Sequence, residues 1–416
     1  MSALEPTQPP PAIEPADGVR TLLVKIFGKD RPGITAGLFD TLAAYAVDVI
    51  DIEQVVTRGR IVLCALITAP AQVGTSEGAL RATVHSWAES LRLEAEILSG
   101  TGDNRPRGSG RSHVTVLGNP LTAQSTAAIA ASITGTGGNI DRIFRLAKLP
   151  VTAVEFAVSG VATEPLRTAL ATTATDIGVD VAVVSAGLQR RARRLVVMDV
   201  DSTLIQDEVI ELFAAHAGCE AEVAAVTERA MRGELDFEQS LHERVALLAG
   251  LDVSVVEKVR ADVRLTPGAR TLIRTLKRLG YQVGVVSGGF TQVTDALRER
   301  LSLDFAAANT LEIENGVLTG RVVGQVVDRA GKARLLRTFA EQAGVPLAQT
   351  VAIGDGANDL DMLNAAGLGV AFNAKPLVRA AAHAAVNVPF LDTVLYLLGI
   401  SREEVESADE SDDDGV

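Results

Sequence analysis

Two aspartates one residue apart, Asp199 and Asp201, close the apolar run that begins at Leu195, and the hydroxyls of Ser202 and Thr203 follow at once. Carboxylates in such a pair can serve as nucleophile and as general acid and base, or can hold a hard divalent cation. Side by side they repel each other, so the pattern asks for positive charge nearby. Three later stretches complete it: Ser287-Gly288-Gly289, Lys332, and Gly354-Asp355-Gly356-Ala357-Asn358-Asp359. Carboxylates, a hydroxyl-glycine turn and one lysine, in that order, describe phosphoryl transfer. A phosphate monoester is a dianion, and at ~4 Å and an effective dielectric of ~20 each charge pair with an attacking carboxylate contributes roughly 4 kcal/mol of repulsion. The site therefore needs a fixed ammonium, Lys332, and a divalent ion. Mg²⁺, which prefers oxygen ligands and keeps several waters, suits Asp199 and Asp355.

These residues must be positioned by an α/β core. A continuous apolar run reads as a strand buried on both faces, and open parallel sheets place their chemistry at the carboxyl ends of the strands. From Leu195 onward strands and helices alternate, with Ser287 just after an expected strand at 282–286. An insertion over about 205–265 breaks the alternation with helical patterns at 207–216, 221–232 and 237–248, and falls where it would cover the active end as a cap. Upstream, strand–helix–strand–strand–helix–strand patterns occur twice, over 19–99 and 112–186, joined by a Gly/Arg/Asn/Pro stretch at 100–111. Gly28 precedes Asp51 by 23 residues and Gly118 precedes Asp141 by the same interval, the mark of a diverged tandem repeat. Each copy reads as a split βαββαβ unit.

The motif set resembles the haloacid dehalogenase (HAD) superfamily of aspartate-based phosphatases. Within it, Asp199-Val200-Asp201-Ser202-Thr203, Glu208, Met231-Arg232-Gly233-Glu234-Leu235-Asp236-Phe237 and Arg244 are most similar to the phosphoserine phosphatases. The resemblance implies an HAD-like Rossmannoid parallel sheet with a helical cap over 192–400, and a Mg²⁺-dependent hydrolysis of O-phospho-L-serine as the last step of serine biosynthesis. Asp199 would be the nucleophile, forming an aspartyl-phosphate, and Asp201 the acid and base. Asp199, Asp201 (through its backbone carbonyl) and Asp355 would hold the metal, with Asp359 supporting them. Ser287, Gly288, Lys332 and Asn358 would hold the phosphoryl group. Glu208 suits the substrate's ammonium and Arg244 its carboxylate, while Met231 and Phe237 would close over it. Read without the resemblance, Glu208 and Arg244 are equally a solvated pair, Met231 and Phe237 helix packing, and Ser287-Gly288-Gly289 an ordinary turn.

Gly28-Lys29-Asp30-Arg31-Pro32-Gly33-Ile34 resembles the opening of an ACT domain, a ferredoxin-like module that often binds amino acids. A regulatory ligand such as L-serine is expected at Gly28, Asp30 and Gly33, where free N–H groups open a helix. The second copy has no Pro-Gly at that place, and both copies read equally well as dimerisation modules. A homodimer is expected through their sheet edges.

The formal net charge of −13 over 416 residues disfavours nucleic acid or an anionic membrane as partner. Cys64 and Cys219 are too few for a disulfide framework, which points to a cytoplasmic setting. The five histidines show no zinc-ligand spacing. Residues 1–18 read as a disordered leader, and 401–416, with eight acidic residues between Glu403 and Asp414, as a solvated tail. Two rivals stand beside the main reading: a phosphatase for another small phosphate, such as phosphohomoserine or phosphothreonine, and an amino-acid sensor with a vestigial catalytic domain.

Overall fold

The computed structural model describes residues 18–70, 76–102, 110–192 and 194–413. The expected leader and most of the expected linker lie outside these residues. The chain forms two units, 1–107 and 108–416.

In the first unit, strands β1 (Arg20–Lys29), β2 (Val49–Thr57), β3 (Arg60–Thr68) and β4 (Glu94–Thr101) form an antiparallel sheet in the order β2-β3-β1-β4. Alternation puts Leu22, Val24 and Ile26 of β1 and Ile61, Leu63, Ala65 and Ile67 of β3 on one face. There they pack beneath the helices Ile34–Ala43 and Glu77–Ser90. Gly33 opens the first helix at φ 93°, and a side chain at Gly28 would strike Leu93. Both glycines of the expected ligand turn thus have conformational or packing reasons for being there. Asp30, between them, has its N–H bonded to the Gly59 carbonyl at 2.8 Å.

The second unit repeats this order with β5 (Arg111–Gly118), β6 (Asn139–Ala147), β7 (Thr152–Ser159) and β8 (Asp180–Ser185), arranged β6-β7-β5-β8. It does not stop there. Strands β9 (Leu195–Met198), β10 (Gln282–Phe290), β11 (Phe305–Glu314), β12 (Val317–Val323), β13 (Thr350–Gly354), β14 (Leu368–Phe372) and β15 (Ala384–Val386) follow. They lie in the order β12-β11-β10-β9-β13-β14-β15, parallel except for the edge strand β12. Strand β15 pairs antiparallel with β8, joining both into one sheet of eleven strands. This edge of the second repeat, expected to be open for dimerisation, is therefore covered within the chain. Buried polar groups reinforce the seam. Asp180 accepts bonds from the Asn387 backbone and side chain there. Away from the seam, Arg190 forks onto Glu155 of β7, which His113 of β5 also contacts at 2.7 Å.

Ile205 and Leu265 face each other in an antiparallel bridge, so the chain leaves and re-enters the core at one point. Between them lie helices Val209–Ala217, Glu220–Met231 and Phe237–Ala246, and a fourth, Val255–Asp262, that the sequence reading did not anticipate. Their shared core includes Phe213, Val223, Leu241, Val245 and Val259. The third helix is started by Asp236, which accepts from Gln239 N–H at 2.8 Å while Gln239 returns a bond to Asp236 N–H.

The acidic C-terminal stretch departs from expectation. Residues Arg402–Asp413 form a helix, because Arg274 and Arg278 both pair with Asp409 and Val405 is buried. Among the described residues no helix is long and apolar enough to cross a membrane.

Candidate active site

Strand β9 is the centre of the parallel core, flanked by β10 and β13. All eight side chains of β9 and of the first four residues of β13 are buried, as the continuous apolar runs require. Neighbouring parallel strands end on the same side of the sheet, so β9 delivers Asp199, β10 delivers Ser287 and β13 delivers Asp355 to one rim.

After Asp199 the chain makes a wide turn in which Ser202 takes φ 53°, and the turn folds both aspartates into the site. One oxygen of Asp199 accepts the Val200 N–H at 2.7 Å, and the other lies 2.6 Å from Lys332 Nζ. Lys332, which is 1% exposed, bonds Asp359 on its other side at 2.7 Å. The second Asp359 oxygen accepts the Gly356 N–H at 2.9 Å. A side chain at Gly354 would collide with Asp359, so the glycine lets the acid fold back onto its own loop. Burial would depress the Lys332 pKa, but Asp199 and Asp359 together raise it. The ammonium is thus permanently charged.

One ammonium does not balance three acids. Carboxylate oxygens of Asp199, Asp355 and Asp359 lie within 4.8 Å of one another. Burial and the charge of Asp359 push Asp355 up to about 6, and the same two causes raise Asp199 well above the usual carboxylate range despite Lys332. An all-oxygen donor set with excess negative charge fits a hard divalent cation such as Mg²⁺. The sequence reading assigned Asp201 to the metal through its backbone carbonyl, leaving its carboxyl for acid and base work. Its carboxylate is engaged elsewhere, with one oxygen accepting Val209 N–H at 2.8 Å and the other the Ser287 hydroxyl at 2.9 Å. Asp359, expected to support the metal, completes the carboxylate trio with Asp199 and Asp355.

Ser287 also differs from expectation. Its side chain is fully buried and faces Asp201 rather than the cavity, whose rim here is Gly288 and Gly289. Gly289 N–H in turn donates to the Ser287 hydroxyl at 2.7 Å, and a side chain at Gly289 would crowd Asp201.

A cavity of about 620 Å³ joins core and cap. Asp199, Asp201, Lys332, Asp355 and Asn358 line its floor, and Glu208, Met231, Phe237 and Arg244 its cap side. Glu208 accepts the Ser202 hydroxyl at 2.7 Å, and burial together with Asp201 lifts its pKa to about 7. Among the described residues Arg244 bonds only the Ser240 carbonyl, through Nε at 3.2 Å, which leaves its terminal nitrogens available to a ligand. Burial lowers its pKa, while Glu208 and Asp201 oppose that shift. The Phe237 ring packs over Gly288, where a Cβ would stand 3.2 Å from it. Met231 lines the same cavity yet is 71% exposed, so it stands at the mouth.

One positioning residue escaped the sequence reading, and a second, Thr203, was recognised there only as part of the aspartate motif. Buried Asn309 on β11 donates to the Gly288 carbonyl and accepts Val327 N–H, both at 2.8 Å, tying the glycine turn to the loop before Lys332. Thr203 donates to Asp355 at 2.9 Å. The available signal for Asn309 was an amide ending the small apolar run Phe305–Ala308, at a position where burial demands partners.

Comparison with known proteins now adds to this geometry. Residues 196–364 match the haloacid dehalogenase-like hydrolase family, and 20–97 and 111–184 each match an ACT domain. The chain is 84% identical to the phosphoserine phosphatase of Streptomyces coelicolor, over 95% of this chain and 96% of that protein. The chain belongs to the phosphoserine phosphatases of the HAD superfamily, with two N-terminal ACT domains. It is also 50% identical to phosphoserine phosphatase SerB2 of Mycobacterium tuberculosis, over 94% of this chain and 96% of that one. Among solved structures, a probable phosphoserine phosphatase from Vibrio cholerae in unliganded form superposes with a TM-score of 0.55. It is 39% identical, over 71% of this chain and 88% of that one. An HAD family hydrolase from Salmonella enterica gives 0.61 at 28% identity, over 69% and 98%. The fold expected from the motifs, an HAD-like sheet preceded by two ACT domains, is the one found.

Proposed function

We propose that this HAD-family phosphatase hydrolyses O-phospho-L-serine to L-serine and phosphate. The observation that carries the reading is the cavity itself. It joins a nucleophile held by a buried ammonium to a carboxylate, Glu208, and a guanidinium with free donors, Arg244. A phosphate, an ammonium and a carboxylate are the three charged groups of phosphoserine. The names of the relatives agree.

Asp199 attacks phosphorus, and the bond from phosphorus to the serine oxygen breaks, leaving an aspartyl-phosphate. Asp201, whose carboxyl is raised by burial and tempered by Val209 N–H and Ser287, gives its proton to the departing alkoxide. It then takes a proton from the water that attacks the aspartyl-phosphate, releasing phosphate and restoring Asp199. Lys332 holds Asp199 in place and offsets charge on the transferring oxygens. Asp199, Asp355 and Asp359, with the Asp201 carbonyl, would hold Mg²⁺, which when bound supplies the remaining charge neutralisation. Glu208 and Arg244 orient the amino-acid end, Asn358 and Gly288 the phosphoryl end, and Phe237 excludes water.

The test is phosphate release with Mg²⁺ from O-phospho-L-serine, O-phospho-L-threonine and O-phosphohomoserine. A preference for phosphoserine that is lost in Glu208→Gln and Arg244→Ala supports the reading. Equal turnover of all three would sink it as a statement about substrate.

The ACT domains extend the proposal to a homodimer regulated by amino acids, L-serine being the expected effector at Gly28, Asp30 and Gly33. The apolar residues Val49, Ile52, Val55 and Val56 on β2 and Val62 on β3 are exposed, and support association of this sheet with another copy. Sedimentation of the full chain as a monomer at micromolar concentration would remove the dimer. A cytoplasmic location is supported by two free thiols, Cys64 and Cys219.

A further inference from the structure

Strand β14 lies next to β13, so its carboxyl end opens on the same rim as Asp355. Beyond it, Asn373 takes φ 47° and donates its N–H to the Val386 carbonyl at 2.7 Å. Lys375 comes two residues later. The following Pro376 restricts it to extended backbone, and it is found at φ −63° and ψ 154°. Its carbonyl is fixed by the N–H groups of Val378 and Arg379, at 2.9 and 3.1 Å, so the side chain starts from an anchored backbone. Lys375 is exposed and lines the same cavity as Asp199, Glu208 and Arg244.

The charge pattern gives this lysine a purpose. Asp199, Asp201, Glu208, Glu211 and Asp355 line the cavity, against Lys332, Arg244 and Lys375. Lys332 is committed to Asp199 and Asp359. Arg244 faces Glu208 and Asp201. Lys375, among the described residues, has no ion pair or hydrogen bond from its ammonium. An acidic cavity in an acidic protein repels a dianionic substrate until the substrate reaches the metal and Lys332. A solvated ammonium at the mouth opposes that repulsion where it acts first.

We propose that Lys375 is a substrate-attracting residue, drawing the phosphoryl dianion into the cavity and holding it on entry. The inference rests on the phosphatase reading and adds to it a residue outside the phosphoryl-transfer motifs. A charge that acts equally on bound substrate and transition state lowers KM without changing kcat. Lys375→Ala is therefore expected to lower kcat/KM for O-phospho-L-serine by ~10-fold, through KM. Lys375→Glu lowers it further, and Lys375→Arg restores it. The fall of kcat/KM with added NaCl expected of the wild type becomes shallower in Lys375→Ala, because the screened charge is gone. Inhibition by inorganic phosphate weakens in parallel. Wild-type KM and salt dependence in Lys375→Ala, or an effect confined to kcat, would overturn the assignment. Absence of phosphoserine turnover in the wild type would instead overturn the phosphatase reading, so the two failures are distinct.

Discussion

The Ser287 hydroxyl donates to the Asp201 carboxylate at 2.9 Å, from a strand 86 residues further along the chain. This bond ties the acid and base to β10 and is one of the interactions that tempers the rise of the Asp201 pKa. Removing it lets that pKa rise further, so the deprotonated form needed for attack by water is reached at higher pH. Ser287→Ala is expected to lower kcat by ~10–100-fold and to move the acidic limb of the kcat profile upward. Steady-state rates from pH 5 to 9 check this, and an unmoved limb would assign Ser287 another role.

Asp199 and Lys332 separate activity from stability. Asp199→Asn removes the nucleophile but also relieves crowding among three acids, so activity falls by ~10³-fold or more while the melting temperature of the metal-free protein holds or rises. Lys332→Met leaves Asp199 and Asp359 buried without their cation, a loss of about 3–5 kcal/mol. That variant melts earlier and is also inactive. Calorimetry of both variants beside the wild type reads the contrast directly.

Metal and protons compete at Asp355. Its folded pKa of about 6 lies above the ordinary aspartate value, so the folded metal-free protein binds a proton more tightly than the unfolded chain. The stability from this group is complete at low pH and is lost as pH rises through about 6. Mg²⁺ binds the deprotonated trio and restores it. Saturating Mg²⁺ is expected to raise the melting temperature by roughly 5–10 °C at pH 7.5 and by much less at pH 5. An equal shift at both pH values would exclude the trio as the metal site.

Glu208 titrates within the working range. With its carboxyl lifted to about 7 in the substrate-free protein, it is neutral below that pH and loses its attraction for the substrate ammonium. KM for phosphoserine should rise as pH falls from 8 to 6, and in Glu208→Gln it should be high throughout that range. Initial rates across that interval, with kcat and KM fitted separately, make the comparison.

Local chemistry and periodicity settle much of this protein before any coordinates. Asp199, Asp201, Lys332 and Asp355 are recognisable because phosphoryl transfer demands those charges, and the apolar run into Asp199 reads as a strand buried on both faces. The two βαββαβ units are legible because strands alternate with period two, and their helices begin at residues such as Ser76 and Thr122 that cap them. Pairings between distant segments were out of reach. Nothing local in β8 or β15 says that they hydrogen-bond, since each would serve equally as an open edge, and the C-terminal acids became a helix only because Arg274 and Arg278 face Asp409. The same limit applies inside the site. Residue types announce a carboxylate, a hydroxyl and a lysine, but which carboxylate completes the metal trio depends on how the backbone turns at Ser202 and Gly354. Those turns are decided by packing across the whole sheet, which is why Asp359 rather than the Asp201 carboxylate stands beside Asp199 and Asp355.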